Sequence, residues 1–237
     1  MTQEIVFLGV VHDDREGAPR LRRALEAEKP AIITLETTAN YIAQTLDGQN
    51  EAWQLSRLEL WIRNGLREDI AAIIAEDIHE YDFSVKEAVR YATNNSISVL
   101  PIENPELFAV HTREARREPD FEEIRKMIPV LNKYNREEHA KGVEKFYDDF
   151  QRIYAGDKEF EHGICRVNQN MDVTYLDENN YASKRLVEKA KQTSGKVVHL
   201  CGLLNTLQDP RNRTLYAMVS GGKDAYSTRR QTIRDYG

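Results

Sequence analysis

The run "EIVFLGVVHDDREGAPRLRRALEAEKPAIITLE", Glu4–Glu36, holds two β-rich apolar stretches with a helical one between them. In "EIVFLGVV" (Glu4–Val11) and "AIITLE" (Ala31–Glu36) the apolar residues are nearly continuous. That pattern suits strands covered on both faces, as in a parallel sheet. Between them, Pro19 marks a helix start, Leu21, Ala24, Leu25 and Glu28 follow at helical spacing, and Pro30 ends the helix. The stretch is a compact β-α-β unit whose crossover should be right-handed.

Outward from this unit, "SISVLPIE" (Ser96–Glu103) and "KVVHLC" (Lys196–Cys201) are further strand candidates, and "TLYAMVS" (Thr214–Ser220) is a weaker fifth. Two long blocks, from Ala52 to Asn94 and from Pro105 to about Lys191, have helical periodicity. In the first, Ile70, Ile73, Ile74 and Ile78 share one face. The expected fold is α/β: one domain over residues 1–237, with a mostly parallel central sheet, flanking helices and a large helical cap inserted at about 40–95 and 105–192. The polar end "AYSTRRQTIRDYG" reads as a frayed tail or a homodimer arm.

Composition narrows the function. The chain has 237 residues, a net charge of −6, and apolar and charged fractions ordinary for a folded protein. The acidic balance argues against a large nucleic-acid footprint. Cys165 and Cys201 are far apart and form no CxxC, so small buried thiols in a reducing compartment are expected. The N-terminus lacks the basic region and cleavage site of a signal peptide. No apolar run reaches the roughly 18 residues a membrane span requires. A cytoplasmic protein without membrane or nucleic-acid partners is expected.

Ligands of open parallel sheets sit beyond the carboxyl ends of the strands. There the first strand offers His12, Asp13 and Asp14, the second Glu36, the third Glu103, and the fourth Gly202 to Asn205. Each has an ordinary alternative. His12 suits a hydrogen-bonded loop, Glu36 and Glu103 suit caps of the helices that follow, and Asn205 suits a cap as well. Shared placement favours a site, because a carboxylate ending an apolar strand is costly unless paired, protonated or bound to a cation. His12, Glu36 and Glu103 form a plausible ligand set for Mn, Zn, Co or Fe. Glu36 could instead serve as the general base. His199, inside the strand "VVHL", is expected in the core, and His111 is a weaker candidate for lining the pocket.

Gly9-Val10-Val11-His12, followed by a helix, Lys29-Pro30 and a strand ending in Glu36, resembles the opening of the TraB/PrgY and Tiki proteins. These belong to a wider EreA/ChaN-like superfamily with erythromycin esterases and ChaN-like haem-binding lipoproteins. More weakly, Ile102-Glu103 resembles the family's acidic strand end near the middle of the chain. Glu178-Asn179-Asn180-Tyr181-Ala182 resembles its late-helix motif, and Gly202-Leu203-Leu204-Asn205 its second Gly-x-x-His. Two positions depart from the pattern: Asn205 stands where the family has histidine, and Asn179 where it has arginine.

The resemblance implies a metal-dependent, peptidase-like hydrolase with His12, Glu36 and Glu103 at a divalent metal. Glu36 and Asn205 would be the catalytic pair, with Asn205 positioning the substrate carbonyl. The alternative it implies is a non-catalytic protein that binds a peptide or small ligand.

Overall fold

The computed structural model of the chain describes residues 3–167, 173–222 and 226–237. From β1 (Gln3–Val10) the chain passes through α1 (Gly17–Glu28) to β2 (Ile32–Leu35). Four helices follow: α2 (Ala39–Leu46), α3 (Gln49–Arg63), α4 (Glu68–Glu80) and α5 (Phe83–Asn95). After β3 (Ser98–Pro101) come α6 (Pro105–Ala115), α7 (Phe121–Leu131), α8 (Arg136–Tyr154), α9 (Lys158–Val167) and α10 (Val173–Gln192). The chain ends with β4 (Val197–Gly202), α11 (Leu215–Ser220) and β5 (Tyr226–Thr232). The five strands form one sheet in the order β3-β2-β4-β1-β5, and every pairing is parallel. The expected α/β class is the observed one.

Alternation along the strands divides the core between the two faces of the sheet. Val6, Leu8, Val10, Ile33, Leu35 and Leu200 pack with Leu21 and Leu25 of α1, Ala88 of α5, and Tyr147 and Phe150 of α8. Ile5, Phe7, Ile32 and Val197 pack with Leu186 of α10 and with Leu215 and Val219 of α11. With both faces covered, the inner strands show continuous apolar runs rather than polar alternation. The β1–β2 crossover uses the first face and the β4–β5 crossover the second. The winding therefore reverses between the neighbours β1 and β4, and such a reversal opens a crevice at the strands' carboxyl ends. A third core joins α3, α4 and α7, where Ile70 and Ile78 are buried and Ile73 and Ile74 pack beside them.

Two expectations about the C-terminal region are corrected. "TLYAMVS" is not a strand, because Leu215–Ser220 is α11, capped by the Thr214 hydroxyl accepting the Ala217 N–H at 3.3 Å. Its apolar residues are buried between the sheet and α10, which removes the polar face that would have marked a helix. The fifth strand lies in the segment read as a frayed tail or dimer arm. There β5 pairs with β1 from Gln3↔Tyr226 to Gly9↔Thr232. Its charges are matched from within the chain. Arg229 meets Glu28 at 2.7 Å and Glu4 at 3.0 Å, and Arg230 meets Glu161. A charged edge strand also resists pairing with a second sheet.

Cys165 and Cys201 are buried free thiols. Among the described residues, no helix is long and apolar enough to cross a membrane.

Candidate functional site

The crevice begins at the turn after β1. A Cβ on Gly9 would lie 2.3 Å from Leu203 Cδ2, so glycine lets the strand pass this close to the turn after β4 without displacing that buried side chain. Beyond Val10 the backbone turns, and Asp14 holds the turn. Its Oδ1 accepts the Glu16 N–H at 2.9 Å, and its Oδ2 accepts from Arg20 Nη1 and the Tyr147 hydroxyl, each at 3.0 Å. That hydroxyl also accepts the Val11 N–H at 3.1 Å. Asp14 is thus an anchor to α8, while His12 lines a cavity of about 210 Å³ at the sheet edge.

Glu36 lines the same cavity. Its Oε2 accepts the Gly202 N–H at 3.0 Å, and its Oε1 accepts from Asn205 Nδ2. Asn205 lies in the 3-10 turn Leu203–Thr206 after β4. Its Oδ1 accepts from Asn179 Nδ2 at 3.5 Å, and Asn179 also donates to the Arg213 carbonyl at 2.8 Å. Asn205 and Asn179 therefore meet each other behind Glu36. At Gly202 a methyl group would lie 3.9 Å from His12 Nε2 and 4.0 Å from Glu36 Oε2. Imidazole and carboxylate converge over this bare backbone position, from chain segments that are remote in sequence.

The capping explanation for the two carboxylates does not hold. Thr38 caps α2 by accepting the Tyr41 N–H at 3.3 Å. Asn104 caps the start of α6 by accepting the Glu106 N–H at 2.9 Å. Glu36 and Glu103 are left without that role, and Glu103 Oε2 is buried with no hydrogen-bond partner among the described residues.

Electrostatics sets the two carboxyls apart from ordinary glutamates. Burial raises Glu36 to about 7, the Gly202 N–H opposing and the Glu178 charge adding. Burial, then the charges of Glu36 and Glu178, raises Glu103 to about 9. Neighbouring carboxylates in a poorly solvated place do not both ionise at neutral pH. His12 reaches solvent, yet the protein around it lowers its pKa, against the opposing charges of Asp13 and Asp82. On balance the surroundings favour the uncharged imidazole.

Other lining groups were not legible in the sequence. Tyr41 comes from α2, and Tyr81 and Asp82 from the turn between α4 and α5. Asp82 accepts the Tyr41 hydroxyl at 2.8 Å and the Thr45 hydroxyl at 3.2 Å. Cys201 also lines the cavity, but burial raises its thiol well above 9, which removes it as a thiolate nucleophile. His199 is fully buried between the sheet and α10, with Nδ1 at 3.0 Å from Thr34 Oγ1 and its ring edge-on to Phe7. It is the core residue expected. The His111 side chain lies outside the described residues.

Among the described residues, no three His, Cys, Asp or Glu groups are arranged to hold a metal ion. Each Glu36 oxygen already faces an N–H donor. As arranged, His12, Glu36 and Glu103 have the right chemistry for a cation but do not form its coordination sphere. Comparisons of the chain with protein-family models, curated proteins and solved structures found no match.

Proposed function

We propose that this chain is a hydrolase of a peptide, amide or ester bond, of the TraB/Tiki type, with Glu36 as its general base. One observation carries the reading. Glu36 is a carboxylate raised to about 7, held by two N–H donors and facing a cavity beside His12. A base with a pKa near the working pH combines adequate basicity with a large ionised fraction.

In this reading Glu36 takes a proton from the attacking water. Glu103, protonated below about pH 9, supplies one toward the leaving group. Neutral His12 hydrogen-bonds the reacting carbonyl or the water. Asn205, expected to position the substrate carbonyl, instead holds the Glu36 carboxylate, and with Gly202 it fixes the direction of the base. Tyr41 of α2 and Tyr81 of the α4–α5 turn wall the cavity and limit bulk water.

The test pairs turnover with metal analysis. Purified protein is assayed on a 4-nitrophenyl ester and an aminoacyl anilide, alongside Glu36→Gln and a chelator-dialysed sample. A loss of about 100-fold or more in Glu36→Gln supports the reading. Full activity in that variant overturns it. The alternative, a non-catalytic binder of peptides or small ligands, predicts stoichiometric retention of a ligand without turnover.

A further inference from the structure

Next to the cavity of Glu36 lies a larger chamber of about 450 Å³, and the two share Tyr41 and Tyr81 in their walls. Its chemistry is the opposite of its neighbour's. Two guanidinium groups, Arg57 and Arg116, line it, and among the described residues no aspartate or glutamate does. Arg57 lies over the rings of Trp53, at 5.0 Å, and Trp61, at 5.4 Å. Arg116 lies over Trp53 at 5.6 Å, and its Nη2 donates to Gln44 Oε1 at 3.1 Å and to Asn50 Oδ1. Neutral oxygens and an indole face surround the Arg116 charge, and none of these is a counter-ion. The indole Nε1 of Trp61 is buried and has no hydrogen-bond acceptor among the described residues. Such a chamber offers aromatic faces, a spare donor and positive charge to whatever enters it.

We propose that this chamber is a substrate subsite for a carboxylate carried beside an apolar or aromatic group, as at the C-terminal residue of a peptide. The guanidinium of Arg116 recognises the carboxylate. The indoles of Trp53 and Trp61 cover the apolar group, and the shared wall leads the adjoining acyl bond toward Glu36. The proposal deepens the hydrolase reading and rests on it for the identity of the reacting group.

The binding test needs no turnover, so the two readings fail separately. The chain's only two tryptophans, Trp53 and Trp61, both line the chamber, so intrinsic tryptophan fluorescence reports on its occupancy, and Arg116→Gln assigns the change to this chamber. N-acetyl-phenylalanine is titrated against its neutral isostere, N-acetyl-phenylalaninamide. The acid should produce a saturable change at millimolar concentrations and bind about tenfold or more tightly than the amide. Arg116→Gln should reduce the acid to the affinity of the amide, while Glu36→Gln should leave acid binding in place. Equal affinity for acid and amide, or no response to the acid, overturns the subsite. If Arg116→Gln does not fold, the acid–amide comparison on the unmodified protein still decides. Loss of the preference while Glu36→Gln still abolishes turnover refutes the subsite and spares the hydrolase.

Discussion

The two ends of the sheet treat buried carboxylates in opposite ways. At the amino end Glu28 is 7% exposed and fully matched. Arg229 and Lys196 approach it at 2.7 and 2.6 Å, and the Tyr236 hydroxyl donates to it. Burial alone would raise its pKa, but these donors outweigh burial and bring it to about 2. At the carboxyl end Glu36 and Glu103 have no Lys or Arg partner among the described residues, and both are raised. One end uses its carboxylate to join β5, α1 and the start of β4. The other keeps two carboxyls in an unfavourable state, Glu36 on the wall of a cavity and Glu103 near enough to feel its charge. Uncompensated groups of this kind mark functional sites more often than structural ones.

The largest expected effect is on turnover. Glu36→Gln should lower kcat/KM by about 100-fold or more while raising the thermal midpoint at pH 8. The gain in stability follows from linkage. A carboxyl whose folded pKa exceeds its unfolded value stabilises the fold below the unfolded value, and that contribution is lost as pH rises through the folded one. For Glu36 the window runs from 4.5 to about 7. Glutamine removes the cost, on the order of 2 kcal/mol or more at pH 8.

Next in size is the opposite result at the other end. Arg229→Met should destabilise the protein by about 3 kcal/mol, because it strips a cation from a buried charge, and denaturant unfolding would measure this. The pH slope should reverse too. The depressed pKa of Glu28 gives stability that is present above 4.5 and lost as pH falls toward 2. Glu28→Gln should flatten the acid limb of a stability–pH curve, whereas Glu36→Gln should flatten the limb between 4.5 and 7.

Smaller effects refine the comparison. Asn205→Ala leaves a Glu36 oxygen without its donor and should cost about 1–2 kcal/mol. It should also raise the pH midpoint of activity, since the ionised form loses a hydrogen bond. Gly202→Ala should change stability least, because Gly202 has φ −60° and ψ 145°, which alanine adopts freely. Its methyl would enter the gap between His12 and Glu36. The account therefore expects a folded protein with impaired turnover, by circular dichroism and the ester assay together.

Much of this was legible from where apolar runs stop. Four strand candidates ended in polar residues, and parallel strands with covered faces bring such ends together. That placed His12, Glu36 and Asn205 in one region before any contact was known. The edge strand was not legible. "YSTRRQT" has no apolar signal, because its stabilising contacts are the ion pairs of Arg229 and Arg230 with Glu28, Glu4 and Glu161. Nor were Tyr41, Tyr81 and Asp82, which α2 and the α4–α5 turn bring to the sheet edge. Helical periodicity shows which face is apolar but not which partner that face meets.

The most direct measurement is a carboxyl-carbon NMR titration of the glutamate side chains in the unmodified protein and in Glu36→Gln. The account predicts one resonance with a midpoint near 7, and its absence in the variant. A Glu36 resonance titrating near 4.5, in a folded protein, would contradict it.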